Sequence, residues 1–473
     1  MPDQTNDTSS ATSNKIARRL IPFLMLCYFV AYLDRVNAGF AALTMNKDLG
    51  LTAEMFGFGA GIFFFGYFLF EVPSNLIMEK TGARIWIARI MITWGILSAA
   101  FAFIPSISAA LQGVSGGFFD QPRTFYMMRF IFGAAEAGFF PGIILYLTYW
   151  FTAAERARWV GAFMASIPLS SVLGGPFSGW ILDAFNGAAG LKGWQWLFLI
   201  EGIPSVIVGF WVLGYLTDRP ADAQWLSADE RTAVQGRLDA ERANRETIKH
   251  FSLGEALTNP RVLGLALVYF GLVSGNYGLG FWLPTMVKAS AQGLKLDVTT
   301  GIGINTLTGF LVAVPYACAV VAMILWTRHS DRKQERVWHV AVPALIGGVA
   351  LMLAAFLSNP WLAALALTIC AMGTYSALPT FWALPTAFLT GTAAAGGIAL
   401  INAIGNVGGF AGPYAVGWIK DTAVAHGWAA DPAGANSIGL AVLACCYLMA
   451  GVVTILLGHD SRIEMAGQPE AAE

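Results

Sequence analysis

The sequence predicts an all-α membrane protein with twelve transmembrane helices in two pseudo-symmetric six-helix bundles. Three observations carry this. Of 473 residues, 56% are hydrophobic and only 12% charged, about half the roughly 25% charge of a soluble globular chain. Twelve apolar runs can be marked, each of about 20 residues and so long enough to cross a hydrocarbon core of roughly 30 Å. The one long hydrophilic stretch falls between the sixth and seventh runs and divides the chain into halves.

Residues 1–19 read as a tail, polar and Ser/Thr-rich up to Lys15, Arg18 and Arg19. Helix 1, 20–43, follows without an AxA-type cleavage signal, so it is a retained helix and not a signal peptide. Helix 2 is expected at 55–78 and helix 3 at 85–104, separated by a short charged loop. The stretch GVSGGFFDQP at 113–122 lies outside the membrane and suggests no role. Helices 4, 5 and 6 are expected at 124–151, 159–182 and 194–217, completing a bundle over 20–217. The segment 218–261, with SADERTAVQGRLDAERANRE inside it, reads as a solvated, partly helical linker. Helices 7 to 12 follow at 262–287, 302–327, 337–357, 361–389, 396–419 and 437–458, a second bundle over 262–458 before a tail at 459–473.

Basic residues orient these helices, because cytoplasmic loops retain Lys and Arg. With both termini inside, the cytoplasmic segments hold 20 basic residues and the external ones 6, leaving two, Arg35 and Arg129, that belong to no loop and sit within helices. The expected setting is therefore a bilayer, with both termini cytoplasmic. A net charge of −1 argues against a nucleic-acid partner. Cys27, Cys318, Cys370, Cys445 and Cys446 lie inside apolar runs without CxxC pairs, and read as small core residues.

Two motifs recur between the halves. Asn75-x3-Glu79-Lys80-x-Gly82-x-Arg84 after helix 2 has the spacing of Thr327-x3-Asp331-Arg332-x-Gln334-x-Arg336 after helix 8. GPFSGWILD at 175–183 returns as GPYAVGWIKD at 412–421, with one inserted residue. Internal duplication of this kind is typical of transporters with a site between repeats.

With these motifs the chain resembles the major facilitator superfamily. YLDRVN at 32–37, RFIFGAAEAGFFPG at 129–142 and WQWLFLIEGIP at 194–204 resemble its anion:cation symporter branch, which moves organic carboxylates with protons. The resemblance implies the major facilitator fold, a bacterial inner-membrane location, and a monomer. It also implies anion binding by Arg35 and Arg129, proton coupling by Asp34 and Glu136, and a conformational role for Glu79, Lys80, Gly82, Arg84, Asp331 and Arg332. The chain departs from the family pattern at Asn75, where Gly is usual, and at Gln334.

The residues support the same chemistry. A guanidinium at mid-membrane costs roughly 2.5–3.5 kcal/mol on insertion scales, so Arg35 and Arg129 need a carboxylate partner, a polar cavity or a ligand. The planar fork of arginine holds a carboxylate by two hydrogen bonds. Arg129 and Glu136 are seven residues apart on helix 4, on one face and about 10 Å apart along the axis. Tyr32 shares a face with Arg35. His250, His329, His339, His426 and His459 fall in loops or at helix ends, which leaves carboxylates to carry protons. Glu71 and Glu201 read as structural acids. Tyr67, Asn276, Tyr277, Tyr375, Asn402 and Asn406 are mid-depth candidates for ligand contact or interhelical bonding, with Tyr67 and Asn406 favoured. Pro379 and Pro385 bracket Trp382 and predict a gating bend in helix 10. Gly174, Gly175 and Gly179 on helix 5, and Gly408, Gly409 and Gly412 on helix 11, allow close approach of neighbouring helices.

The function expected is import of an organic carboxylate (tartrate-, phthalate- or sugar-acid-like) with protons by alternating access, driven by the proton gradient with no cofactor and no metal. An anion exchanger or uniporter using the same arginines is the alternative. A membrane enzyme or receptor lacks a visible catalytic cluster. MASIPLSS at 164–171 has few long polar side chains, favouring a compact or aromatic carboxylate over a sugar acid.

Overall fold

In a computed structural model, which describes residues 3–246, 258–388 and 391–458, the described chain is helical apart from short connections. Helix 1 runs Asp3–Leu49 and helix 2 Ala53–Thr81. Helix 3 begins as Ala83–Ala100 and continues through a tighter turn into Ile104–Ser115. Helix 4 is Gln121–Glu136 followed by Phe139–Thr148, helix 5 is Ala153–Met164 followed by Ser166–Ala184, and helix 6 is Gly193–Tyr215. A linker helix, Ala228–Glu246, precedes helix 7, Pro260–Gly293. Helix 8 is Ile304–Lys333, helix 9 Val337–Phe356, helix 10 Pro360–Phe381 with Ala383–Phe388, helix 11 Gly391–Ala425 and helix 12 Pro432–Leu457. The tail at 459–473 and His250 lie outside the described residues.

Side chains that satisfy orphan backbone donors set many of these starts. Thr52 accepts from Met55 N at 3.2 Å, Asn259 from Arg261 N at 2.9 Å, and Asn359 from Trp361 N at 2.9 Å. The 113–122 stretch finds its role here. Asp120 accepts from Arg123 N at 2.9 Å and starts helix 4, while Gly116 and Gly117 supply the positive φ of the turn before it.

Helix 4 is broken where the sequence suggested one rod, and helix 10 where its prolines predicted a bend. Helix 4 was expected to be continuous, but Ala137 leaves helical geometry and Gly138 takes φ +85°. Pro141 then removes the donor that would have bridged the gap. Helix 10 breaks at Trp382, between Pro379 and Pro385.

Eleven described segments are long and apolar enough to cross a membrane. Helix 11, at 35 residues, is long enough but diluted by glycines and by Asn402 and Asn406. It packs against helix 7 of its own half and helix 2 of the other, which makes it the twelfth member. Outward faces are strongly apolar: Ile207 and Phe210 on helix 6 are each 61% exposed and Leu456 on helix 12 is 78% exposed. A belt of this kind is stable against lipid tails and not against water. Cys27 and Cys370 are core residues as expected, whereas Cys445 lies exposed, because helix 12 turns it away from the bundle.

The repeated loops both turn through a residue of positive φ but by different geometry: Gly82 has φ +91° and ψ 147°, whereas its counterpart Gln334 is left-handed helical at φ +51° and ψ 29°. Asp218, just past helix 6, accepts from Arg84 N at 2.8 Å, and a Cβ on Gly82 would stand 3.0 Å from its carboxylate. Asp331 pairs with Arg336 at 2.7 Å. Glu79, Lys80 and Arg332 are exposed.

Candidate functional site

The halves meet most closely on the side opposite the linker. A Cβ on Gly309 of helix 8 would stand 2.2 Å from the carbonyl oxygen of Gly175 on helix 5, and one on Gly57 of helix 2 would stand 2.5 Å from that of Pro413 on helix 11. Only residues without a Cβ permit such contact. The two aspartates that end the repeated motif then cross between halves. Asp183 accepts from Thr306 N and Asn305 Nδ2, both at 2.7 Å, in the first turn of helix 8. Asp421 accepts from Glu54 N at 2.7 Å in the first turn of helix 2. Each is an anion at the donor-rich start of a helix in the opposite half.

At the centre of the interface, Arg35 of helix 1 is 6% exposed. Its Nη1 donates to the Tyr277 hydroxyl of helix 7 at 2.8 Å, and its Nη2 pairs with Glu136 Oε1. The break in helix 4 falls directly after Glu136, so the carboxylate sits at the end of a half-helix. Around the guanidinium stand the rings of Tyr32 and Phe63, at 5.4 Å, and Tyr67, at 5.6 Å. Among the described residues, two buried polar atoms of this pair have no hydrogen-bond partner, Arg35 Nε and Glu136 Oε2. A spare donor beside a spare acceptor at the seam of the halves is what a small polar ligand needs.

The other acids and cations are arranged differently from one another. Arg129, 1% exposed, donates to the carbonyl oxygens of Gly59 at 3.3 Å and Ala60 at 3.2 Å on helix 2, among the rings of Phe63, Phe132 and Phe281. It thus lies behind the Arg35–Glu136 pair, bonded to backbone. Asp34 points away from Arg35 into the first bundle, where Trp94 Nε1 at 3.1 Å, Ser98 Oγ at 2.7 Å and Ser205 Oγ all donate to it. Glu201, one turn before Ser205, accepts from Ser178 at 2.6 Å.

Glu71 occupies a more informative place. Its two oxygens accept from Asn402 Nδ2 at 2.6 Å and Asn406 Nδ2 at 3.2 Å, across the seam. Of the other neutral candidates, Tyr32, Tyr67 and Tyr277 join the Arg35 cluster, Asn276 is partly buried beside Tyr277, and Tyr375 packs on Tyr316 at 5.8 Å. Trp94, Ser98 and Ser205 were missed in the sequence, although Ser98 falls one turn after Trp94 on helix 3. Asp183 and Asp421 were visible as motif ends without a function.

Two six-helix halves, a charged cluster at their seam and interlocked glycines define the class as a helical membrane transporter built of two bundles. Residues 24–413 match the Major Facilitator Superfamily, and the chain belongs to it: it is a multi-pass membrane transporter and not an enzyme. It is 49% identical over 458 residues, 97% of this chain and 93% of the relative, to an Agrobacterium vitis protein provisionally named a tartrate transporter. It is 39% identical to the Escherichia coli inner membrane transport protein RhmT, over 84% of this chain and 85% of that one. The xylose transporter XylE from E. coli, in a partially occluded inward open conformation, shares the fold at TM-score 0.66 and 13% identity, over 94% of this chain and all of that chain.

Proposed function

We propose that this transporter imports a small organic carboxylate, of the tartrate type, together with protons by alternating access across a bacterial inner membrane, as a monomer with both termini cytoplasmic. The observation that carries the reading is Arg35 at the seam, bonded to Glu136 of its own half and Tyr277 of the other. An ionised Glu136 competes with a substrate carboxylate for the guanidinium. Protonating it weakens that pair and frees the fork of Arg35 for two-point binding. Arg129 adds positive potential behind the pair, and Asp34 is a second acid in reach of helices 1, 3 and 6. The names of the Agrobacterium vitis relatives support tartrate as the first substrate to try.

The broken helices 4 and 10 and the small-residue seams supply elements that rock and bend. Uptake of labelled tartrate into proteoliposomes with an imposed inward proton gradient tests the reading. Accumulation above the external concentration supports symport. Equilibration without accumulation supports a uniporter, and uptake only against preloaded anion supports an exchanger.

A further inference from the structure

Glu71 takes no part in the symport cycle proposed above, and its surroundings are unlike those of a structural acid. It lies on helix 2 one turn beyond Tyr67, about 6 Å further along the axis, and the Tyr67 ring in turn lies 5.6 Å from the Arg35 guanidinium. Both of its oxygens take amide donors from the opposite half, Asn402 at 2.6 Å and Asn406 at 3.2 Å. Among the described residues no cation pairs with it. The groups facing it are Tyr67 on its own helix, Tyr269 on helix 7 and the two asparagines on helix 11. Asn75 Nδ2, one turn on, donates to the Glu71 carbonyl and not to its carboxylate. The side chain is partly exposed, so protons can reach it.

Two pairs of anion-recognising groups therefore face the seam, and in each an internal carboxylate holds the place. Glu136 occupies Arg35, and Glu71 occupies the two asparagine amides. A carboxylate is an acceptor only, and matches two N–H donors. The acid form replaces one acceptor position with an O–H donor and no longer matches both.

We propose that Glu71 is a second proton-linked positioning residue, whose carboxylate occupies Asn402 and Asn406 when substrate is absent and whose protonation surrenders those amides to the second carboxylate of a dicarboxylate substrate. The inference rests on the carboxylate–proton reading above and extends it to a substrate with two anionic ends, one for each pair. The step is a proton transfer: one proton from solvent binds one Glu71 oxygen, no other covalent bond changes, and the amide hydrogen bonds from Asn402 and Asn406 pass from Glu71 to the substrate carboxylate.

The test is the number of protons taken up per tartrate bound by the purified full chain, from calorimetry in buffers of differing ionisation enthalpy, with the dependence of Kd on pH. Glu71→Gln keeps the shape and an amide that can bond to asparagine, but cannot titrate. The expected result is one proton fewer per tartrate in the variant, and a Kd whose change per pH unit is about tenfold smaller. Monocarboxylate binding is expected to show the same proton count in both proteins. Infrared difference spectra on tartrate addition should show one carboxylic-acid component in Glu71→Gln, from Glu136, and two in the wild type. Proton uptake by the wild type that Glu71→Gln leaves unchanged overturns this inference alone. No uptake by the wild type overturns the symport reading, and this one with it.

Discussion

Arg35 has three kinds of neighbour: a carboxylate, a hydroxyl from the other half, and aromatic faces. Lysine supplies the charge without the planar fork. Arg35→Lys is expected to weaken tartrate binding by roughly 10- to 100-fold, the scale of losing a charged hydrogen bond of about 1.5–3 kcal/mol; calorimetric titration reads this, and unchanged affinity would place the anion elsewhere. Gly138 is a second residue with a sharp requirement. It has φ +85°, and a Cβ there would stand 2.3 Å from Ser74 Oγ, which already accepts from Trp86 Nε1 at 2.9 Å. Gly138→Ala should cost about 1–2 kcal/mol from backbone conformation alone, seen as a lower melting temperature in detergent. A melt equal to wild type would mean that helix 4 continues unbroken in the membrane. At this scale the sequence showed which residues were out of place in an apolar helix, and Arg35, Glu136 and Tyr277 do meet. It did not show where Asp34 points, because that depends on Trp94, Ser98 and Ser205, which arrive from helices 3 and 6.

Helices 5 and 8, and helices 2 and 11, are held together at their ends by Asp183 and Asp421. Each acts as a cap supplied by the opposite half, and a lost cap typically costs about 1 kcal/mol. Asp183→Ala and Asp421→Ala are each expected to shift the population about fivefold towards separation of this side. Distances between spin labels at Lys192 and Gln292, exposed positions on this side in opposite halves, report it as a growing long-distance component. An unaltered distance distribution in the double variant would show that the glycine seams alone hold the halves. The motif repeat announced these aspartates but not their partners, since a cap supplied across an interface has no local signature. The bend in helix 10 was legible from its prolines. The break in helix 4 was missed although Gly138 and Pro141 both lie in its run, because glycine and proline in an apolar run also occur in helices that only kink.

For the whole molecule, composition was sufficient to place the chain in a membrane and the central hydrophilic segment to divide it, because twelve long helices leave few other arrangements. Helix 11 was the hardest to justify by hydropathy, because its asparagines serve the seam with helix 2 and its glycines the close contacts with helices 2 and 7 instead of lipid. The cross-half contacts gather at the middle and on the side away from the linker, so the candidate site lies at the inner end of the closed region. From this arrangement follows the central claim, that a substrate carboxylate and a protonated Glu136 exchange places on Arg35. The most direct test is proton movement in proteoliposomes on adding tartrate, wild type against Glu136→Gln. Tartrate-dependent proton influx is expected in the wild type and its loss in the variant, with tartrate binding retained and less sensitive to pH. Proton influx that persists in Glu136→Gln would contradict it.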